Sequence, residues 1–157
     1  MYRAAAIAVS LVATVATARA ADNTPLDTAA GGDRYVFSMS AASGTFSGET
    51  LTLKTVPVVV YFAERPQRTS GQMDLKAFVD LWSKGADSFK DDPPNAELSI
   101  YRAGGNTHSV LIVESPTVEG DAISFNVVIL DDAIPRLFKN ATLFIDGLGM
   151  IEPSGQN

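Results

Sequence analysis

The chain has no cysteine, a single histidine and a single tryptophan among 157 residues, and its acids outnumber its bases by 18 to 12. Without cysteine there is no thiol nucleophile, no thiolate metal site, no lipid anchor through a lipobox and no disulfide scaffold. A hydrophobic core must therefore hold the fold. His108 alone does not make a multi-histidine zinc or copper centre, and no G-x-S-x-G elbow accompanies it. Its position after a turn, in "GGNTHSVLI", reads as that of an edge histidine on a strand. A formal net charge of −6 lacks the basic footprint that nucleic-acid phosphates demand and disfavours adsorption to anionic headgroups. No segment after the first 20 residues is long and apolar enough to span a bilayer.

What is present begins with "MYRAAAIAVSLVATVATARA". Arg3 is a short positive n-region, Ala4 to Ala16 an apolar h-region, and Ala18-Arg19-Ala20 offers the small residues that a signal peptidase reads. Residues 1–20 are thus expected to be a cleaved secretory signal, with the mature protein periplasmic or secreted. Loss of Arg3 and Arg19 leaves 10 bases against 18 acids, a mature net charge of −8. Residues 21–33 are small and polar without period and read as a flexible leader. One domain is expected over 34–149, followed by a frayed tail over 150–157.

From Tyr35 the texture is that of strands. "YVFSMSA" alternates Tyr35, Phe37 and Met39 against Val36, Ser38 and Ser40, and "ETLTLKT" turns Leu51 and Leu53 inward. "SGTFSG" between them reads as the turn of a hairpin. "VVVYFA" is apolar on both faces and fits a central strand, with Pro57 at its start. One helix is expected near residues 74–84, with Asp74 as N-cap, a stripe of Leu75, Phe78, Val79 and Trp82, Lys84 in the last turn and Gly85 as the stop. After the "SFKDDPPNA" loop come strands in "ELSIYRA", "HSVLIVE", "AISFNVVIL" and "ATLFIDG", with "SPTVEGD" read as a turn. The pattern predicts a mainly β fold, an antiparallel β-sandwich or barrel-like sandwich with one short crossover helix.

The stretch "YFAERPQRTSG" drives an apolar strand into Glu64, Arg65 and Arg68. Two arginines close together in a chain poor in bases suit planar, bidentate recognition of carboxylate or phosphate, with Trp82 or Tyr61 as a stacking wall. Glu64, Arg65, Arg68 and Trp82 are therefore the candidate ligand-binding residues. The competing reading is a clasp, in which Glu64 or Asp92 pairs with Arg65 and pins the strand–helix junction. No catalytic residue, metal ligand or cofactor is expected. Asp91, Asp92 and Asn95 carry oxygen ligands of the type that suits Ca²⁺, but Pro93-Pro94 splits the set. Asn140-Ala141-Thr142 is a bare glycosylation tripeptide at the start of an apolar strand and reads as chance.

The segments "LTLKTVPVVVYFAERPQRTSG", "FVDLW", "SFKDDPPNA" and "LFID" together resemble a family of small exported bacterial proteins of unassigned function. In that family an "LTL" strand leads into "YFSDRPxRxxG", then a helix with F and W, an "SF..DPPNA" loop and a late "LFID" strand. The resemblance spans roughly Phe37 to Asp146. It departs at Ala63 and Glu64, where the family pattern has Ser and Asp, and it implies an exported single domain without implying an activity.

Three functions follow for comparison. The first is a non-catalytic exported β protein, expected to be a monomer, that binds a partner or a small, anionic ligand. The second is a structural envelope or matrix component that assembles through sheet edges. The third is a hydrolase with paired carboxylates.

Overall fold

The computed structural model describes residues 35–63, 69–84 and 88–147. The signal, the leader, the tail and the positions of Glu64, Arg65 and Arg68 lie outside those residues.

Among the described residues eight strands and one helix follow in the order β1 (Tyr35–Ser47), β2 (Thr50–Lys54), β3 (Val59–Ala63), β4 (Ser70–Met73), α1 (Leu75–Leu81), β5 (Asn95–Ile100), β6 (Thr107–Glu119), β7 (Ala122–Asp131) and β8 (Leu137–Ile145). All pairings are antiparallel, in the order β2-β7-β6-β5-β8-β1-β3-β4. Because β2 also pairs with β1, six of the strands close on themselves into a barrel, and β3 and β4 extend from it as a hairpin. The expected mainly β, barrel-like architecture is the observed one.

Closure is made possible by the length of β1. Along one edge it pairs with β8; along the other its first half takes β3, at Tyr35 to Met39, and its second half takes β2, at Ser43 to Ser47. The alternation that buries Phe37, Met39 and Ala41 is matched by Leu51 and Leu53 on β2, Leu98 and Ile100 on β5, Leu111 and Val113 on β6, Ile123 and Phe125 on β7, and Leu143 and Ile145 on β8. Period two in the sequence thus becomes the inside and outside of the barrel wall.

Several local expectations change. "SGTFSG" does not turn: β1 runs on to Ser47, and the reversal is the tight Gly48-Glu49 pair, where Gly48 has φ +63°. Gly44 stays in the strand because the Phe138 ring lies over it. "VVVYFA" is not a central strand of a covered sheet. β3 belongs to the hairpin extension, and Phe62 on its outer face is 51% exposed. β4, "SGQM", carries no alternation of its own and is a strand through its pairing with β3, with Gly71 opposite Tyr61. Only the end of "SPTVEGD" turns: β6 continues to Glu119, and the reversal is Gly120-Asp121, where Gly120 has φ +60°.

The helix is shorter than expected, and Lys84 falls beyond it. Its start is as read: the Asp74 carboxylate accepts the Ala77 N–H at 2.7 Å. Asp74→Ala is therefore expected to cost about 1 kcal/mol of stability, checked by urea denaturation. On the exposed face Lys76 Nζ donates to Asp80 at 2.7 Å. That bond holds the Asp80 carboxyl below its ordinary range and raises the Lys76 ammonium, although a fully exposed pair contributes little to stability. No helix among the described residues is long and apolar enough to cross a membrane.

Candidate functional site

The helix is fastened to the barrel by aromatic rings. Phe78 meets Phe37 of β1 edge-on at 5.4 Å between centroids and Trp82 at 5.7 Å. Trp82 in turn lies 4.9 Å from Phe89 and 5.9 Å from Phe125 of β7, while Phe89 returns to Phe37 at 5.9 Å. Five rings therefore link two strands, the helix and the loop after it. Tilted and edge-on contacts of this kind add to the burial of large apolar area.

The loop after the helix is tied to the same hub. Lys90 N–H donates to the Trp82 carbonyl at 3.1 Å, and the Asp91 and Asp92 N–H groups both donate to the Ser88 carbonyl at 2.9 Å. Ser88 is buried, and its hydroxyl donates to the Asp91 carboxylate at 2.7 Å. These bonds close a compact turn that presents Lys90 outward and holds Asp91 in a structural role.

Opposite that turn, β6 bulges. Its register with β7 shifts between Glu114 and Thr117, and Ser115 adopts φ +49°. A non-glycine residue in the left-handed region costs about 1–3 kcal/mol and persists only where its surroundings impose it. The bulge also explains how Pro116 fits within a strand: it sits where the ladder is interrupted.

Between the bulge and the turn lies an open cleft of about 520 Å³. It is lined by Val79, Trp82 and Ser83 from the helix and its end, by Phe89, Lys90, Asp91 and Pro93 from the loop after it, and by Glu114, Ser115 and Pro116 from β6. Glu114 is half-buried, and neither it nor Lys90 has an ion-pair partner among the described residues. The cleft thus combines apolar side chains with one base, Lys90, and two acids, Asp91 and Glu114, a few polar groups on an apolar lining as small-molecule sites have.

Of the residues named from the sequence, Trp82 does reach this cleft, but not as a stacking wall. Only 5% of it is exposed, and Phe78, Phe89 and Phe125 pack around it. Tyr61 is buried beside Tyr35, with its ring over Gly71. The described ends of the segment holding Glu64, Arg65 and Arg68 are joined by the Ala63 N–H to Thr69 carbonyl bond at 2.7 Å. Lys90, Glu114 and Ser115 were not legible as a set. The one available signal was Pro116 among β-branched residues, which marks a bulge as well as a turn.

Other chemistry is sparse. His108 stands exposed at the opposite end of β6 from the bulged half, with an Asp132 oxygen 3.8 Å away. Among the described residues no group of three or more acids and histidines is placed to hold a metal ion. No protein-family model, curated protein or solved structure matches the chain.

Proposed function

We propose that this is an exported, non-catalytic binding protein whose ligand site is the cleft between the β6 bulge and the turn after α1. The observation that carries this reading is the strained Ser115, held beside an unpaired Glu114 on the rim of a cleft lined by aromatic rings. Backbone strain and bulges concentrate where side chains must be re-aimed toward a ligand. Export rests on the N-terminal signal pattern, and solubility on the acidic charge. Glu64, Arg65 and Arg68 remain part of the proposal as contacts for an anionic group.

Amide chemical-shift mapping with a library of small polar–apolar fragments tests the reading. Shifts are expected at Lys90, Asp91, Glu114 and Ser115. A library that leaves those four amides unmoved would sink it.

Hydrolysis finds less support. The cleft holds two carboxylates, of which Asp91 accepts the Ser88 hydroxyl and belongs to the turn's own hydrogen bonding.

Assembly through a sheet edge has one observation in its favour. Among the described residues β4 pairs on one side only, carries no charged residue, and adjoins the exposed Phe62. From the Ala63–Thr69 bond, the alternation of antiparallel pairs turns the Ser70 and Gln72 backbone groups toward the free side. Only two residues offer those groups, too few for a strong edge. Sedimentation at rising concentration is therefore expected to show a monomer. Association abolished by Gln72→Pro, which deletes a free-edge donor, would shift the assignment to assembly.

A further inference from the structure

We infer that the outer wall of the sheet, from β4 across β3, β1 and β8 to β5, binds a neutral polysaccharide over the rings of Phe62 and Phe144. This surface shares no residue with the cleft and is occupied independently of it.

The strand registers set the wall out in rows. One row runs Gln72, Val60, Ser38 and Phe144, from β4 through β3 and β1 to β8. A second places Ser70, Phe62 and Val36 side by side, and a third Ser40, Thr142 and Ser99. The residues that alternate with them, among them Phe37, Met39, Tyr61 and Leu143, are buried, so these rows face outward. None of the side chains in the three rows is charged, in a chain with 18 acids and 12 bases. Charge returns at the margins, with Glu97 opposite Phe144, His108 opposite Ser99, and Asp146 just after β8.

Two rings rise from this wall. Phe62 is 51% exposed and Phe144 43%, and among the described residues no other ring packs on either. They stand on opposite edges of β1, Phe62 beside Val36 and Phe144 beside Ser38. From the strand spacing and the rise per residue, their Cα atoms are roughly 12 Å apart. One sugar does not bridge that span, and a chain of sugars does.

Exposed aromatic rings without charge suit a protein partner or a glycan, and the hydroxyls decide between the two. Serine is depleted in protein–protein interfaces, whereas Ser38, Ser40, Ser70 and Ser99 surround these rings. A sugar uses both features. Its C–H face packs on the negative face of an aromatic ring, and its hydroxyls exchange hydrogen bonds with serines that both donate and accept. Charge then sets the kind of glycan. No base stands in these rows to meet a uronate, sulfate or phosphate, and the excess of acids repels a polyanion.

Amide chemical-shift titration of the full protein with cellohexaose, mannohexaose and isomaltohexaose tests the inference. At least one hexaose should move the Val36, Ser38, Phe62 and Phe144 amides while leaving those of Lys90 and Glu114 in place. Its affinity should be the same at low and high salt, and at least tenfold above that of its own monosaccharide. Phe62→Ser and Phe144→Ser should each weaken it about tenfold. Circular dichroism of both should match the native protein, because both rings are exposed. Leu137→Ser, at an exposed apolar residue outside the rows, should bind as the native protein does.

Three silent hexaoses would overturn the inference without touching the cleft. So would a hexaose affinity that survives both ring substitutions, or one that salt abolishes. Self-association of the native protein that Phe62→Ser abolishes would make the wall a protein interface and overturn the glycan.

Discussion

Phe37→Ala is expected to remove about 4 kcal/mol of stability, a large part of what a domain of this size possesses. Phe37 is fully buried at the point where β1 serves three neighbours at once: it pairs with Ile145 of β8 and Tyr61 of β3, and its ring meets Phe78 and Phe89. Truncation leaves a cavity bounded by a barrel wall that cannot collapse, because β1 is bonded on both edges. The loss combines lost transfer of the ring out of water, the empty volume and two edge-on ring contacts. Thermal unfolding followed by circular dichroism should show a melting temperature lower by roughly 15 °C. A drop of a few degrees would mean that the aromatic hub is less tightly packed than its geometry implies.

Gly44→Val should be nearly as damaging, by about 3 kcal/mol, for the opposite reason. Gly44 lies opposite Phe138 on β8 and Leu53 on β2, and the Phe138 ring crosses the space where a side chain would stand. A Cβ there also comes within 2.9 Å of the Thr52 carbonyl oxygen, which is backbone and cannot move aside. Gly48 supplies the contrast. It has φ +63° in the β1–β2 turn, and a Cβ there meets nothing within 4 Å. Gly48→Ala should therefore cost only the left-handed strain, about 1 kcal/mol. Phe138→Leu should rescue part of the Gly44→Val loss, because the two sites share one volume and their effects are not additive. Urea denaturation of the single and double variants measures each value.

Those two positions show what sequence reading reaches and where it stops. The alternation from Tyr35 to Ala41, the inward Leu51 and Leu53, and the Asp74 cap were legible because each is a local pattern with a local cause. Gly44 reads as a turn residue by its type, and only the ring of Phe138, 94 positions later in the chain, makes it a packing residue instead. β4 was missed because "SGQM" has no apolar period; it is a strand by virtue of its partner. The turn in "SPTVEGD" is confined to Gly120-Asp121 for a related reason. Proline argues against a ladder, but a bulge exempts it, and whether a bulge exists depends on the register with β7.

The cleft follows the same rule. None of Lys90, Glu114 and Ser115 is distinctive in type, and Lys90 is separated from the other two by β5 and the first half of β6. They meet because Trp82 anchors the turn after the helix to the same barrel whose β6 bulges outward. Glu64, Arg65 and Arg68 stand out because unusual residue types cluster there in sequence, and they lie outside the described residues.

The central physical claim is that Trp82 is the hub joining barrel, helix and cleft, and its own fluorescence is the most direct test. With no other tryptophan in the chain, the emission belongs to one side chain. Buried among Phe78, Phe89 and Phe125, it should emit to the blue of indole in water and resist quenching by acrylamide, and Phe37→Ala should make it redder and more easily quenched. Native protein whose tryptophan emits and quenches like a free indole would contradict the claim, and the cleft built on that ring would go with it.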